Sequence, residues 1–406
     1  MSGRDLLDRR SDFRRGRPSD EPSWTSLLPV AALISAVFAA SVIVAPLYPL
    51  YQQKYRFSEV LLTLIYASYV VGNVVALLFL GQLSDQLGRK RVSLPGLGLT
   101  GMGAVVFMFA TGTLSLFVGR LIVGLAVGVL SGTGTAWLAE RLSRPRATLV
   151  ATVANLFGVA IGPVLGGVLA QYGPRPLQLP FVVFLVMLAG VAVAVARTPE
   201  PHPTTNHESG ELRFRPRLGL PGDHVGAFAA PAVTGFVIFS LGGLYFALIP
   251  TVLIRQLHEK NAAVAGAIVA ELALVAIAAI AVTKRADPRR EMRTGLAVMI
   301  PAVAMLVAAQ AARSVLILVL ATSLAGLGLG VGYFGSLRVV NELAPGEHRG
   351  AVASSYFLAC FIGNSIPVIG VGVLSTITTA LTASVALAST VTALSMGTLI
   401  WSRRPR

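Results

Sequence analysis

Twelve times along this chain an apolar run about as long as a membrane is thick recurs, and most gaps between runs are only a few residues long. The runs fall near 28–49, 59–81, 93–111, 115–139, 147–171, 178–196, 227–250, 262–283, 292–311, 314–339, 350–371 and 375–401. A helix needs about 20 apolar residues to cross the hydrocarbon core, so each run predicts one transmembrane helix. The fold class expected is an all-α integral membrane protein of 12 spans, with no room in the loops for a soluble domain. Charge content agrees: 13% of residues are charged, where a soluble domain carries about 25%. The 41 glycines suit helices that approach closely in lipid.

A net charge of +15 would suggest nucleic acid in a soluble protein. Its distribution assigns it to topology instead. With the N-terminus in the cytoplasm, 26 of the 33 Lys and Arg residues fall on the cytoplasmic side, 6 on the outer side and 1, Arg120, inside a span. Positive residues favour cytoplasmic loops, so both termini are expected there and no nucleic-acid partner is expected. Residues 1–27 read as a basic tail carrying Arg4, Arg9, Arg10, Arg14, Arg15 and Arg17, expected to be disordered and to touch anionic lipid. No short basic start with an apolar core and cleavage site is found, so the first span is expected to be retained. Cys360 is the only cysteine, which excludes an intrachain disulfide.

The chain also repeats itself at an offset of about 202 residues. Gly124-Leu-Ala-Val-Gly128 matches Gly326-Leu-Gly-Leu-Gly330, Glu140 matches Glu342, and Asp85 matches Asp287. Each copy holds six spans, an even number, so the copies share one orientation. The expected organisation is a tail at 1–27, a six-helix bundle at 28–196, a cytoplasmic linker at 197–226, a second bundle at 227–401 and a short cytoplasmic tail at 402–406. The linker holds Pro199, Pro201 and Pro203, then Arg213, Arg215 and Arg217. Prolines and polar residues keep it from crossing, and the basic cluster keeps it cytoplasmic.

Three motifs sit on this frame. Between spans 2 and 3 lies Gly81-Gln-Leu-Ser-Asp85-Gln-Leu-Gly88-Arg89-Lys90-Arg91. Gly81 would let helices approach, Asp85 would favour the positive end of a helix, and Gly88 would permit a tight turn. Span 5 holds Gly158-Val-Ala-Ile-Gly162-Pro163-Val-Leu-Gly166-Gly167, three of whose glycines lie four apart on one smooth helix face. Span 4 holds Arg120, Gly124 and Gly128 at four-residue steps. Together the three motifs resemble those of the major facilitator superfamily, and of its 12-span drug:proton antiporters in particular. The first resembles G-x-x-x-D-R/K-x-G-R-R/K, with Gln86 departing from the usual basic residue; the second resembles the antiporter motif G-x-x-x-G-P-x-x-G-G. The resemblance covers residues 28–401 and implies two parallel six-helix repeats with a substrate site between them near mid-membrane. It implies that the loop of Gly81 to Arg91 latches the halves on the cytoplasmic side. It also implies export rather than uptake, and an Arg120 that tunes protonation of an acid near the cavity. The second-half copy of the loop, around Asp287, keeps acid and charge but lacks both glycines.

Glu271, in the middle of span 8, is on these boundaries the only acid deep inside a span. A carboxyl there suits a proton carrier, and the resemblance places span 8 near span 5. Many such antiporters carry an acid in span 1; here span 1 has none, so coupling through that site is excluded. The five histidines, His202, His207, His224, His258 and His348, lie in loops or at their edges, so no metal site and no cofactor are expected. No nucleophile–base pair or phosphate loop suggests an enzyme.

The polar handles expected in an otherwise apolar cavity are Tyr48, Tyr66, Tyr69, Asn73, Asn155, Tyr245, Tyr333, Tyr356 and Asn364. Such a pocket suits a hydrophobic or amphipathic ligand. The function expected is proton-coupled export of such small molecules by alternating access, with the small molecule, protons and the bilayer as partners and a monomer as the working unit. The alternatives are transport of a polar metabolite or sugar on the same scaffold, and a non-transporting sensor. Arg outnumbers Lys 29 to 4 and Ala, Gly and Val abound, which points to a GC-rich bacterial genome and hence to a bacterial inner membrane.

Overall fold

In the computed structural model, residues 24–81, 83–200, 218–220, 225–344 and 349–402 are described. The basic tail before Trp24, most of the linker and the residues after Ser402 lie outside them, so the expectations for the tails and for Arg213, Arg215 and Arg217 do too. Among the described residues, twelve helices are long and apolar enough to cross a membrane. In chain order, spans 1 to 6 are Ser26–Tyr55, Glu59–Leu80, Arg89–Met108, Thr113–Ala139, Arg144–Tyr172 and Leu179–Arg197. Spans 7 to 12 are Gly226–Ala247, Ala262–Thr283, Pro288–Ala311, Val315–Leu343, Gly350–Ile377 and Ala380–Trp401.

These bounds differ from the apolar runs mainly where a helix extends past its apolar part. Span 3 starts at Arg89 rather than 93, and span 9 at Pro288 rather than 292, because charged residues in a first turn sit at the membrane surface and hydropathy does not register them. Span 1 continues to Tyr55 through a 3₁₀ turn at Ala45–Leu47, where Pro46 and Pro49 remove backbone donors. Short loops are possible because the next helix often begins with its own cap. Ser58, Asn261, Asp287, Ser314 and Thr379 each accept a hydrogen bond from a backbone N–H of the first turn that follows.

The packing repeats with the sequence. In the first half span 1 packs on 5, 2 on 4, and 3 on 4 and 6; in the second, 7 packs on 11, 8 on 10, and 9 on 10 and 12. The halves meet where span 5 packs on 8 and span 11 on 2, which are equivalent pairs under the repeat. After twelve crossings both ends of the described chain return to one side, called here the terminal end; the opposite side is the far end.

Glycines set several of these contacts. A Cβ on Gly124 would lie 2.1 Å from the Tyr69 carbonyl oxygen, and one on Gly128 2.7 Å from that of Asn73, so span 4 packs on the bare backbone of span 2. The repeat copies do the same: Gly326 meets the Leu272 oxygen at 2.7 Å and Gly330 that of Ala276 at 2.4 Å.

Candidate functional site

The span 5 glycines face span 1. Gly158, Gly162 and Gly166 would place a Cβ 2.2, 2.5 and 2.2 Å from the carbonyl oxygens of Ser35, Ala39 and Ile43, one step of four after another. The next residue turns away: Gly167 would meet the Ala262 oxygen at 2.4 Å, and Gly266 of span 8 would meet that of Pro163 at 2.2 Å. Span 5 is thus wedged between span 1 of its own half and span 8 of the other. The smooth face expected from the sequence is present, and span 1 is its partner.

At the far end the halves are tied by polar contacts. Arg255, just after span 7, pairs with Glu59 at the start of span 2. Ser375 of span 11 donates to Glu59 at 3.1 Å, and Thr251 donates to Gln52 at 3.2 Å. Two further cross-half bonds lie at this end, from Asn261 Nδ2 to Tyr172 Oη at 3.3 Å and from the Ala262 N–H to Gln171 at 2.9 Å.

At the terminal end, among the described residues, Asp85 and Arg89 contact the first half and Lys90 the start of the linker. Arg89 bridges Asp85, Ser84 and Glu140, joining the loop to the end of span 4. Lys90 donates to the Thr198 carbonyl at 3.4 Å, and Arg91 is exposed. Gly88 has φ +99°, and a Cβ there would lie 2.3 Å from Glu200 Oε1, so the tight turn expected of it is real. Gly81 behaves otherwise than expected: the heavy atom nearest its added Cβ is the Leu77 oxygen of its own helix, at 2.9 Å, beside the π turn Ala76–Leu80. The second half reverses the charges. Glu291, at the position 202 after Arg89, is 2% exposed and pairs with Arg338 of span 10 at 2.7 Å. The run boundary at 292 put Glu291 in a loop; the repeat offset from Arg89 was the signal that could have found it.

Between the halves, at mid-span, lies a cavity of about 90 Å³. Of the nine expected polar handles, Tyr66, Tyr69, Asn155, Tyr333 and Asn364 line it. Tyr66 Oη donates to Asn364 Oδ1 at 3.0 Å, linking span 2 to span 11. The other four are not in the lining. Asn73 donates to Tyr69 Oη at 3.3 Å, Tyr245 accepts from Thr322 at 3.0 Å, and Tyr356 shares a hydrogen bond with Ser336 at 2.7 Å. Tyr48 packs on Arg120. Apolar side chains supply most of the wall, chiefly Phe38, Leu156, Phe239, Phe246 and Phe361. The sequence did not distinguish these, because a Phe lining a cavity looks the same as one in the core.

Arg120 lines the cavity and is 1% exposed, so it does not reach out to the surface. Its guanidinium stands 5.5, 5.0 and 5.3 Å from the ring centroids of Tyr48, Tyr66 and Tyr69. Nη1 donates to the Ser41 carbonyl, and Nε has no hydrogen-bond partner. Glu271 sits elsewhere. Its neighbours Leu272 and Ala273 line the cavity, but its carboxylate turns toward span 10 and accepts from Ser323 at 2.6 Å. Span 8 does pack on span 5, as the resemblance implied, yet the residue facing Pro163 is Gly266.

A model of the Major Facilitator Superfamily matches residues 30–368. The chain belongs to the major facilitator superfamily. Among curated relatives, a multidrug transporter of this superfamily from Aspergillus fumigatus, mfsB, is 32% identical over 175 residues, 39% of this chain and 28% of that protein. The cephamycin export protein CmcT of Amycolatopsis lactamdurans is 30% identical over 284 residues, 66% of this chain and 53% of that one. The chain thus spans about half the length, or less, of these relatives. Among solved structures, the POT family transporter PepTSo superposes with a TM-score of 0.72 at 12% identity, over 94% of this chain and 98% of that one. The human organic anion transporter MFSD10 gives 0.68 at 16% identity, over 95% and 100%. At those identities the likeness concerns the fold, a 12-span major facilitator fold of two six-helix repeats.

Proposed function

We propose that this membrane transporter exports a hydrophobic or amphipathic small molecule in exchange for protons, by alternating access of the central cavity. The observation that carries this reading is the cavity itself: both halves wall it at mid-span, and cross-half contacts close it at the far end. The names of the relatives, a multidrug transporter and an export protein, favour efflux. The far end is then the outer side and the terminal end the cytoplasmic side of a bacterial inner membrane, in keeping with the bias of Lys and Arg. The brace of Asp85, Arg89 and Glu140 keeps the cytoplasmic ends of spans 3 and 4 as one body while the halves rock. A monomer is sufficient, because the cavity is walled by one chain.

Glu271 is the proposed proton carrier. It is partly buried and its proximal partner is a hydroxyl rather than a cation, so gain and loss of a proton is not blocked by an ion pair. Coupling requires that protonation favour one facing state over the other, and Glu271 lies on the helix that packs on both span 5 and span 10. Flux of amphipaths into or out of proteoliposomes under an imposed pH gradient tests the proposal. Wild-type protein is expected to move solute against its concentration gradient, and Glu271→Gln to move it only downhill at normal protein level. Gradient-driven flux unchanged in Glu271→Gln removes Glu271 from the coupling; downhill movement alone in the wild type makes the protein a facilitator.

A further inference from the structure

The central cavity holds a cation without a counter-ion. Arg120 is buried, and among the described residues no carboxylate lies within ion-pair distance of it. The acids of the spans are engaged elsewhere: Glu59 at the far end with Arg255, Glu291 at the terminal end with Arg338, and Glu271 with Ser323. Span 1, which supplies the Ser41 carbonyl that Arg120 contacts, has no acid at all. A buried charge is retained where it is paired and hydrogen-bonded. Three tyrosine rings and the Ser41 carbonyl contact this guanidinium, and its buried Nε–H has no hydrogen-bond partner. A guanidinium is also the donor best matched to a carboxylate, through two parallel hydrogen bonds.

We infer that the transported compound is an organic anion, a carboxylate or similar group on an apolar and preferably aromatic body, and that Arg120 is its anchor. The inference rests on reading the cavity as the transport site. The opposite wall fits the rest of such a molecule. Phe239 meets Tyr333 edge-on at 5.5 Å and Phe361 at 6.3 Å, so the second half offers aromatic faces and edges where the first offers charge. Asn155 and Asn364 add polar groups to the lining. The anion supplies the charge that the chain lacks, and lipophilic cations are repelled by the same residue.

The test is equilibrium binding to the full chain in detergent or nanodiscs, with three probes of one shape: naphthalene-1-carboxylate, naphthalene-1-carboxamide and 1-naphthylmethylammonium. The carboxylate is expected to bind at least about tenfold more tightly than the amide, as for a hydrogen bond to a charged group, and the ammonium not at all. Arg120→Gln is expected to abolish the preference of carboxylate over amide, and Arg120→Lys to keep it at lower affinity. Equal binding of carboxylate and amide by the wild type, or no binding of the carboxylate at millimolar concentration, overturns the inference; that comparison needs no variant to fold. A preference that persists in Arg120→Gln overturns it as well. Arg120-dependent binding of the carboxylate without flux would sink the export reading and leave only the anion site at Arg120 standing. Driven efflux of cations or neutral amphipaths without carboxylate binding would do the reverse.

Discussion

Replacing Gly266 by alanine should open the far end of the transporter. Gly266 lies on span 8, in the second half, against span 5 of the first. The added Cβ would sit 2.2 Å from the Pro163 carbonyl oxygen, with the Gly167 Cα at 3.4 Å. The clashing atom is backbone, so no side chain can swing aside, and the two helices must separate by more than 1 Å to restore ordinary contact at 3.4 Å or beyond. Overpacking of this kind costs about 1–3 kcal/mol. Here the cost falls only on the state in which the halves touch at that end, so it acts as a population shift of roughly 5- to 150-fold toward the state open there. Spin labels at Lys54 and Lys260, both exposed at the far end on opposite halves, would report it by pulsed electron paramagnetic resonance in a Cys360→Ser background. The distance distribution is expected to move outward in Gly266→Ala. Gly162→Ala is the comparison, because its Cβ meets the Ala39 oxygen at 2.5 Å inside the first half. It should lower thermal stability by a similar amount and leave the label distance unchanged. An unmoved distribution in Gly266→Ala, or the same shift in both variants, would refute the argument that this contact closes the far end.

Gly88→Ala forces a side chain onto φ +99° and ψ 150° and toward Glu200 Oε1; a residue held there costs about 1–3 kcal/mol, and thermal unfolding followed by intrinsic fluorescence should show a lower midpoint. Glu291→Gln leaves Arg338 without its carboxylate and should cost about 1–3 kcal/mol in the same assay. The charge-swapped pair Glu291→Arg with Arg338→Glu should recover most of that loss, since the first half already uses a cation at the corresponding start of span 3, and failure to recover would mean that the pair's sign matters to more than its own bond.

Most of the fold was legible in the sequence because lipid imposes one simple rule, length of apolar run, and the chain obeys it twelve times. Spans 2, 8 and 4 match their runs within a few residues. What the rule cannot register is helix outside the apolar slab, which is why the helical Arg89, Lys90 and Arg91 and the buried Glu291 were placed in loops. Packing was half legible. The four-residue steps of Gly158, Gly162 and Gly166 announce a close helix contact, but a glycine stripe does not name its partner: the resemblance placed span 8 near span 5, and the geometry gives these three glycines to span 1 and Gly167 to span 8. Site residues were the least legible. Tyr66 and Tyr245 are both buried tyrosines in apolar helices, and whether such a ring borders a cavity or a neighbouring helix depends on rotation about an axis that composition does not fix. Glu271 shows the same limit: its position in span 8 was plain, its direction was not.

The closure at the far end rests on packing more than on charge. Arg255 is 56% exposed, and an ion pair with so much water around one partner contributes about 0.2–1 kcal/mol. The Gly167 and Gly266 contacts set bare backbone of one helix against bare backbone of the other. The pair of Glu59 and Arg255 therefore sets the register of the closed halves, while the span 5 and span 8 glycines set whether they close. That division leaves the mid-span cavity free to add a small, ligand-dependent bias. Under the proposed alternating access, a few kcal/mol from a compound that satisfies Arg120 is comparable to the closure it must compete with, and such a near-balance would let a bound solute and a proton together decide which way the cavity faces.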